Sequence, residues 1–212
     1  MQWFNRMTTA VLSIGAIGFA GFAIAQDKKA DAPKEDKPAA AATTAEVGKP
    51  APAFELKGID GKTVKLADLK DKVVVLEWFN MECPVCVNRI PVMKQTEEKY
   101  TKQGVVWIAV DSTHFRKAEQ NVEFAKKEKI NYPILMDNDG KVGKAYDAKT
   151  TPHMFVINKG TLAYAGAIDS GDSKTAGDRN YVAEALDAIL ASKPVATSST
   201  KAFGCSVKYK KD

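Results

Sequence analysis

Apolar residues along this chain fall into short, nearly unbroken runs separated by segments with helical spacing. Val73 to Phe79 (VVVLEWF) reads as a central strand covered on both faces, and Val105 to Val110 (VVWIAV) as a second. Ile134-Leu135-Met136 predicts a third. Phe54 to Leu56 and Thr63 to Leu66 flank Gly58-Ile59-Asp60-Gly61, the pattern of a hairpin with a tight turn. Helical residues follow from Pro84 to Tyr100, again as an exposed helix from Phe115 to Glu128, and as a short helix from Asp139 to Tyr146. After Thr151-Pro152, His153 to Ile157 and Leu162 to Ala167 flank Asn158-Lys159-Gly160, a second hairpin signal. Tyr181 to Leu190 carries Val182, Leu186, Ile189 and Leu190 at helical spacing. The alternation predicts an α/β fold: a central mixed β-sheet flanked by helices, with an N-terminal β-hairpin extension. Ser192 to Thr200 is polar and reads as irregular.

The two ends differ from this middle. Arg6 precedes an apolar stretch from Ala10 to Phe22, and Ala23-Ile24-Ala25 has the small-x-small form of an export cleavage site, so residues 1–25 are expected to be a signal peptide. The stretch falls short of the ~20 residues that comfortably span a bilayer; an uncleaved N-terminal anchor is the alternative. No cysteine follows it to accept a lipid. Residues 26–46, rich in Ala, Lys, Asp and Pro, hold too little apolar surface to offset ordering entropy and read as a disordered linker. The folded domain is expected over 47–191 and a C-terminal tail over 192–212. An exported chain, periplasmic or otherwise extracytoplasmic, works where disulfides persist. The formal charge of +5 comes from scattered lysines with a cluster at Lys208, Lys210 and Lys211. That is an ordinary solvated surface, or a weak attraction to anionic membranes. No nucleic-acid motif is present.

The chemistry centres on Cys83-Pro84-Val85-Cys86, just after the first buried strand. A cysteine at a helix N-terminus faces unpaired N–H groups and the positive end of the helix dipole, both of which favour thiolate. Pro84 fits the first helical position, where its missing N–H costs nothing. Cys83 is then the attacking thiol, and Cys86, one turn in, the resolving one. Half of a zinc site is one alternative, but no second cysteine pair exists and only His114 and His153 are available. A pair of inert core cysteines is another. The third cysteine, Cys205, leaves at least one thiol spare in every monomeric state. No cofactor or metal is implied.

Three further positions carry a resemblance. Glu77 lies in the core strand six residues before Cys83, Pro91 eight residues after it, and Thr151-Pro152 precedes a strand. In these details residues 47–191 resemble the thioredoxin-like superfamily. The resemblance implies that Glu77 handles the proton of the second cysteine, that Pro91 kinks the active-site helix, and that Thr151-Pro152 is a cis-proline loop against the active-site disulfide, pairing with substrate peptide. A carboxyl on a buried strand is costly to ionise, so its pKa should rise towards the range useful for proton transfer; an exposed strand-end charge is the alternative. His153 reads as a strand residue. Val75 to Asn80, Arg179 to Val182 and Gly204 to Tyr209 are similar to exported redoxins of the peroxiredoxin-like and thiol-reductase-like branch with a Gly-Cys-Ser tail. Many of those lack the second active-site cysteine, which leaves the tail cysteine to resolve the first. This chain keeps both Cys86 and Cys205.

The resemblance implies a thiol-disulfide oxidoreductase acting on protein thiols and disulfides, with a membrane-linked or thioredoxin-type electron donor. The alternative is a thiol peroxidase with antioxidant activity, Cys83 attacking peroxide and Cys205 or Cys86 resolving. Typical peroxiredoxins carry a proline and a threonine where this chain has Leu76 and Asn80, and neither Arg89 nor Arg116 is assigned the activating role. A third alternative is a copper-binding module of the same fold, which would call on His153.

Overall fold

The structure, a computed structural model, describes residues 44–211. The expected signal peptide and residues 26–43 of the expected linker lie outside them. Among the described residues, nine strands and four α-helices run in the order β1 (Glu55–Gly58), β2 (Thr63–Lys65), β3 (Val73–Trp78), α1 (Pro84–Thr101), β4 (Val106–Asp111), α2 (Ala118–Glu128), β5 (Ile134–Met136), α3 (Lys141–Ala145), β6 (Thr150–Thr151), β7 (His153–Asn158), β8 (Thr161–Gly166), α4 (Tyr181–Leu190) and β9 (Cys205–Ser206).

The main sheet has seven strands in the order β2-β1-β5-β4-β3-β7-β8. β3 pairs in parallel with β4 and antiparallel with β7, so the sheet is mixed, and the β1–β2 hairpin extends one edge, as the pattern predicts. Alternation along the central strands sorts two cores. Val75 and Phe79, Trp107 and Ala109, and Met154 and Val156 face one side, with residues of α1, α2 and α4. Val74, Leu76 and Trp78, Ile108 and Val110, and Phe155 and Ile157 face the other, with Phe54, Leu66 and Tyr146. Period-two geometry puts Glu77 on the α1 side with Val75. The buried positions of α1, among them Cys86, Ile90, Met93 and Tyr100, lie on one helical face, and the helix runs through Pro91 as one element.

Two elements differ from the sequence reading. The helix expected from Phe115 starts at Ala118. The side chain of Asn138 donates to the carbonyls of both Thr113 and Arg116, at 2.9 Å each, which holds 113–116 as a turn. That helix also buries Asn121 and Phe124 rather than lying wholly exposed. The larger difference is the tail. Thr200 binds along β8, its N–H to Ala165 O at 3.1 Å and its hydroxyl accepting the Ala167 N–H at 2.9 Å. β9 then pairs antiparallel with β6, Thr151 opposite Cys205. Beyond it, Val207 N–H donates to Lys149 O, and the Tyr209 hydroxyl to Ala148 O at 2.8 Å. Gly140 and Gly143 leave the space that the Tyr209 ring fills. The C-terminal tail is a strap tied on both sides of Cys205.

Candidate active site

The end of β3 sets up the site. Phe79 N–H bonds Val110 O and closes the strand. Asn80 then turns the chain, its side chain accepting from Glu82 N–H at 2.8 Å and its carbonyl from Cys83 N–H at 3.0 Å. Cys83 thereby becomes the N-cap of α1, with extended backbone, and Pro84 begins the helix. The Thr151-Pro152 peptide bond is cis, as the loop's resemblance implied.

The structure brings together Cys83, Cys86, Cys205 and Thr151. Cys83 is 1% exposed. Its Sγ lies 2.9 Å from the carbonyl oxygen of Thr151 and 2.7 Å from Sγ of Cys205. The sulfurs are less than an ångström farther apart than the roughly 2.05 Å of a disulfide bond. A hydrogen bond from the Cys86 thiol is the largest influence on Cys83; the Cys205 thiol and the backbone N–H groups of both residues add to it. Together they outweigh burial and hold the Cys83 thiol well below the ordinary range, at about 4. Protonated Cys83 donates to Thr151 O; once it ionises, the flanking thiols become donors to it. The same contacts act oppositely on the donors. Burial, then the bond to Cys83, raises Cys86 well above the usual thiol range and Cys205 to about 11. One thiolate flanked by two protonated thiols is an arrangement that can support nucleophilic attack at one sulfur and resolution by either neighbour.

Glu77 is buried on the same side of the sheet as Cys86. Burial raises its carboxyl to about 7, against hydrogen bonds from the Trp107 indole, 3.0 Å from Oε2, and from Tyr132. Its charge is felt at Cys86, whose pKa it raises. A carboxyl that titrates near neutrality, coupled to the buried thiol, suits proton transfer. Trp107 and Tyr132 escaped the sequence reading because they come from other elements.

Arg89 and Arg116 are both engaged by carboxylates. Arg89, inside α1, forms a buried ion pair with Asp169 at 2.6 Å and donates to the carbonyls of Asp172 and Thr175. Its guanidinium also lies over the Phe203 ring of the strap. Arg116 reaches Glu82 at 3.1 Å and Asp111 at 3.7 Å. His153 sits against the Phe155 ring, and burial lowers its imidazole to about 4. Among the described residues, no three His, Cys, Asp or Glu side chains form a group that could hold a metal ion.

Gly204, part of the Gly-Cys-Ser tail that carries the resemblance, has a steric role that the sequence does not show. It sits at φ +138°, and a Cβ there would overlap the carbonyl oxygen of Thr151. Only glycine lets the strap lie this close to β6.

Comparisons with known proteins fit this geometry. A protein named thiol-disulfide oxidoreductase ResA from Bacillus thuringiensis subsp. konkukian is 33% identical over 114 residues, covering 54% of this chain and 65% of the relative, just under two thirds of its length. The structure of a hypothetical protein from Sinorhizobium meliloti 1021 superimposes with a TM-score of 0.72 at 26% identity, covering 80% of this chain and 98% of that one. The thioredoxin domain of a thiol-disulfide oxidoreductase from Bacteroides vulgatus matches with a TM-score of 0.52 at 21% identity, over 64% of this chain and 92% of that one, a likeness of fold. The fold is thioredoxin-like, and the chain belongs to the AhpC/TSA family, whose model matches residues 47–165.

Proposed function

We propose that the chain is an exported thiol-disulfide oxidoreductase in which Cys83 attacks and Cys86 resolves. The observation that carries this reading is the Cys83 sulfur, capping α1, hydrogen-bonded by two thiols and lying against Thr151 of the cis-proline loop. The activity named for the ResA relatives supports it.

In the first step the Cys83 thiolate attacks one sulfur of a partner protein's disulfide. A Cys83–partner bond forms, and the partner's other sulfur leaves as a thiolate and takes a proton. Cys86 then gives its proton to Glu77 and attacks Cys83, forming Cys83–Cys86 and expelling the second partner thiolate. The partner gains two electrons and the enzyme loses two. A thioredoxin-type or membrane-linked dithiol returns them. Cys205 lies close enough to take the same bond, so Cys83–Cys205 is a second internal disulfide that Cys86 opens by attack on Cys83. Insulin reduction by dithiothreitol, catalysed by wild type and lost in Cys83→Ser, tests the assignment; undiminished catalysis in that variant would falsify it.

A second reading, thiol peroxidase, is favoured by the 2.7 Å approach of Cys205, which would condense with a Cys83 sulfenic acid and release water. Against it stand Leu76 and Asn80 in place of the usual proline and threonine, and the engagement of Arg89 with Asp169. Peroxide consumption by the same protein separates the two. Export is supported by Arg6 and the apolar stretch to Ala25, and N-terminal sequencing of the protein from an extracytoplasmic fraction should begin at Gln26.

A further inference from the structure

The strap does more than carry a thiol. Among the described residues β6 has β9 as its only partner strand, two residues against two, and that pairing sets Cys205 Sγ against Cys83. Cys83 is 1% exposed and Cys205 Sγ lies 2.7 Å from its sulfur, so an incoming sulfur that takes the place of Cys205 meets the same β6 backbone. The strap and a substrate segment therefore exclude one another. The strap's own sequence then records what this groove accepts. Its register is fixed by Thr150 opposite Ser206 and Thr151 opposite Cys205, and the residue before the cysteine crosses the Thr151 carbonyl where no Cβ fits. Phe203, one residue earlier, lies under the Arg89 guanidinium.

We infer that Gly204-Cys205-Ser206 is an internal stand-in for substrate, and that the groove selects a partner protein's extended segment with glycine immediately before its disulfide-bonded cysteine, adding it antiparallel to Thr150-Thr151. The inference rests on the thiol-disulfide reading above and names its substrate class. Main-chain bonds to β6 supply affinity, and the clash at the position before cysteine supplies discrimination.

The test uses full-length reduced protein and a peptide copying residues 201–209, its cysteine held as a mixed disulfide with thionitrobenzoate. Cys83 thiolate attacks the peptide sulfur, a Cys83–peptide bond forms, and thionitrobenzoate leaves as a coloured thiolate. The same peptide with alanine in place of glycine is the comparison. The glycine peptide should react at least tenfold faster. Because the strap competes for the groove, Tyr209→Ala, which removes an anchor remote from the sulfur chemistry, should speed the glycine peptide severalfold and leave the alanine peptide slow. Equal rates for the two peptides, in wild type and in Tyr209→Ala alike, overturn the inference while leaving Cys83 a reactive thiol. Failure of Cys83 to react with either peptide and with free dithiobis-nitrobenzoate as well overturns the thiol-disulfide reading with it.

Discussion

Replacing Glu77 with glutamine should slow the protein, and the variant's stability relative to wild type should rise with pH in a defined window. Glu77 is 2% exposed, and burial lifts its carboxyl to about 7 even though Trp107 and Tyr132 donate hydrogen bonds to it. In the unfolded chain a glutamate titrates near 4.3. Between those two values the folded protein keeps the proton and the unfolded chain has lost it. The folded state binds more protons, so its stability falls as pH rises, by roughly 1.4 kcal/mol per pH unit, until both states are ionised above about 7. Over the window the loss is about 3 to 4 kcal/mol. Glutamine has no proton to lose, and any difference in its packing or hydrogen bonding is a constant offset. Urea denaturation of reduced wild type and Glu77→Gln from pH 4 to pH 8 should show the variant's stability rising relative to wild type by that amount. Difference curves flat to within about 0.5 kcal/mol would mean that Glu77 is not held protonated by burial, and its proton-transfer role would go with it.

Three further outcomes follow from the same contacts. Cys86→Ala removes the main donor to the Cys83 thiolate; a hydrogen bond to a charged group contributes about 1.5–3 kcal/mol, so the Cys83 pKa should rise by about 1 to 2 units, read from thiolate absorbance at 240 nm. Arg89→Met leaves Asp169 charged and buried without its partner, which should cost about 3–5 kcal/mol in urea denaturation; Arg89→Met with Asp169→Leu should recover much of that loss. Tyr209→Ala empties the niche beside Gly140 and Gly143, so alkylation of Cys205 in the reduced protein, followed by mass spectrometry, should speed at least tenfold as the strap opens.

The central strands were legible because they are buried on both faces: Val73 to Phe79 and Val105 to Val110 have no polar face to blur the pattern. The adjacency of Cys83, Cys86 and Thr151 was legible through the resemblance, and the structure brings these residues together. What the sequence hid depends on distant partners. The start of α2 is displaced because Asn138, in another segment, captures the carbonyls of Thr113 and Arg116. The strap has little apolar periodicity, and β9 owes its two-residue strand to the β6 backbone rather than to its own propensity. Its anchors, Thr200, Gly204 and Tyr209, are single-residue fits into sites built by other elements. The sequence places Cys205 only on a C-terminal tail, and the structure seats its sulfur 2.7 Å from that of Cys83.

The central claim is that Cys83, though almost fully buried, is the thiol that attacks. The direct measurement is brief exposure of reduced full-length protein at pH 7 to a substoichiometric peptide disulfide, acid quenching, and peptide mapping by mass spectrometry without reduction. The account predicts mixed disulfide on Cys83 in the Cys86→Ala variant, and in wild type its rapid conversion to an internal bond that includes Cys83. Mixed disulfide accumulating on the more exposed Cys205, with Cys83 unmodified, would contradict it.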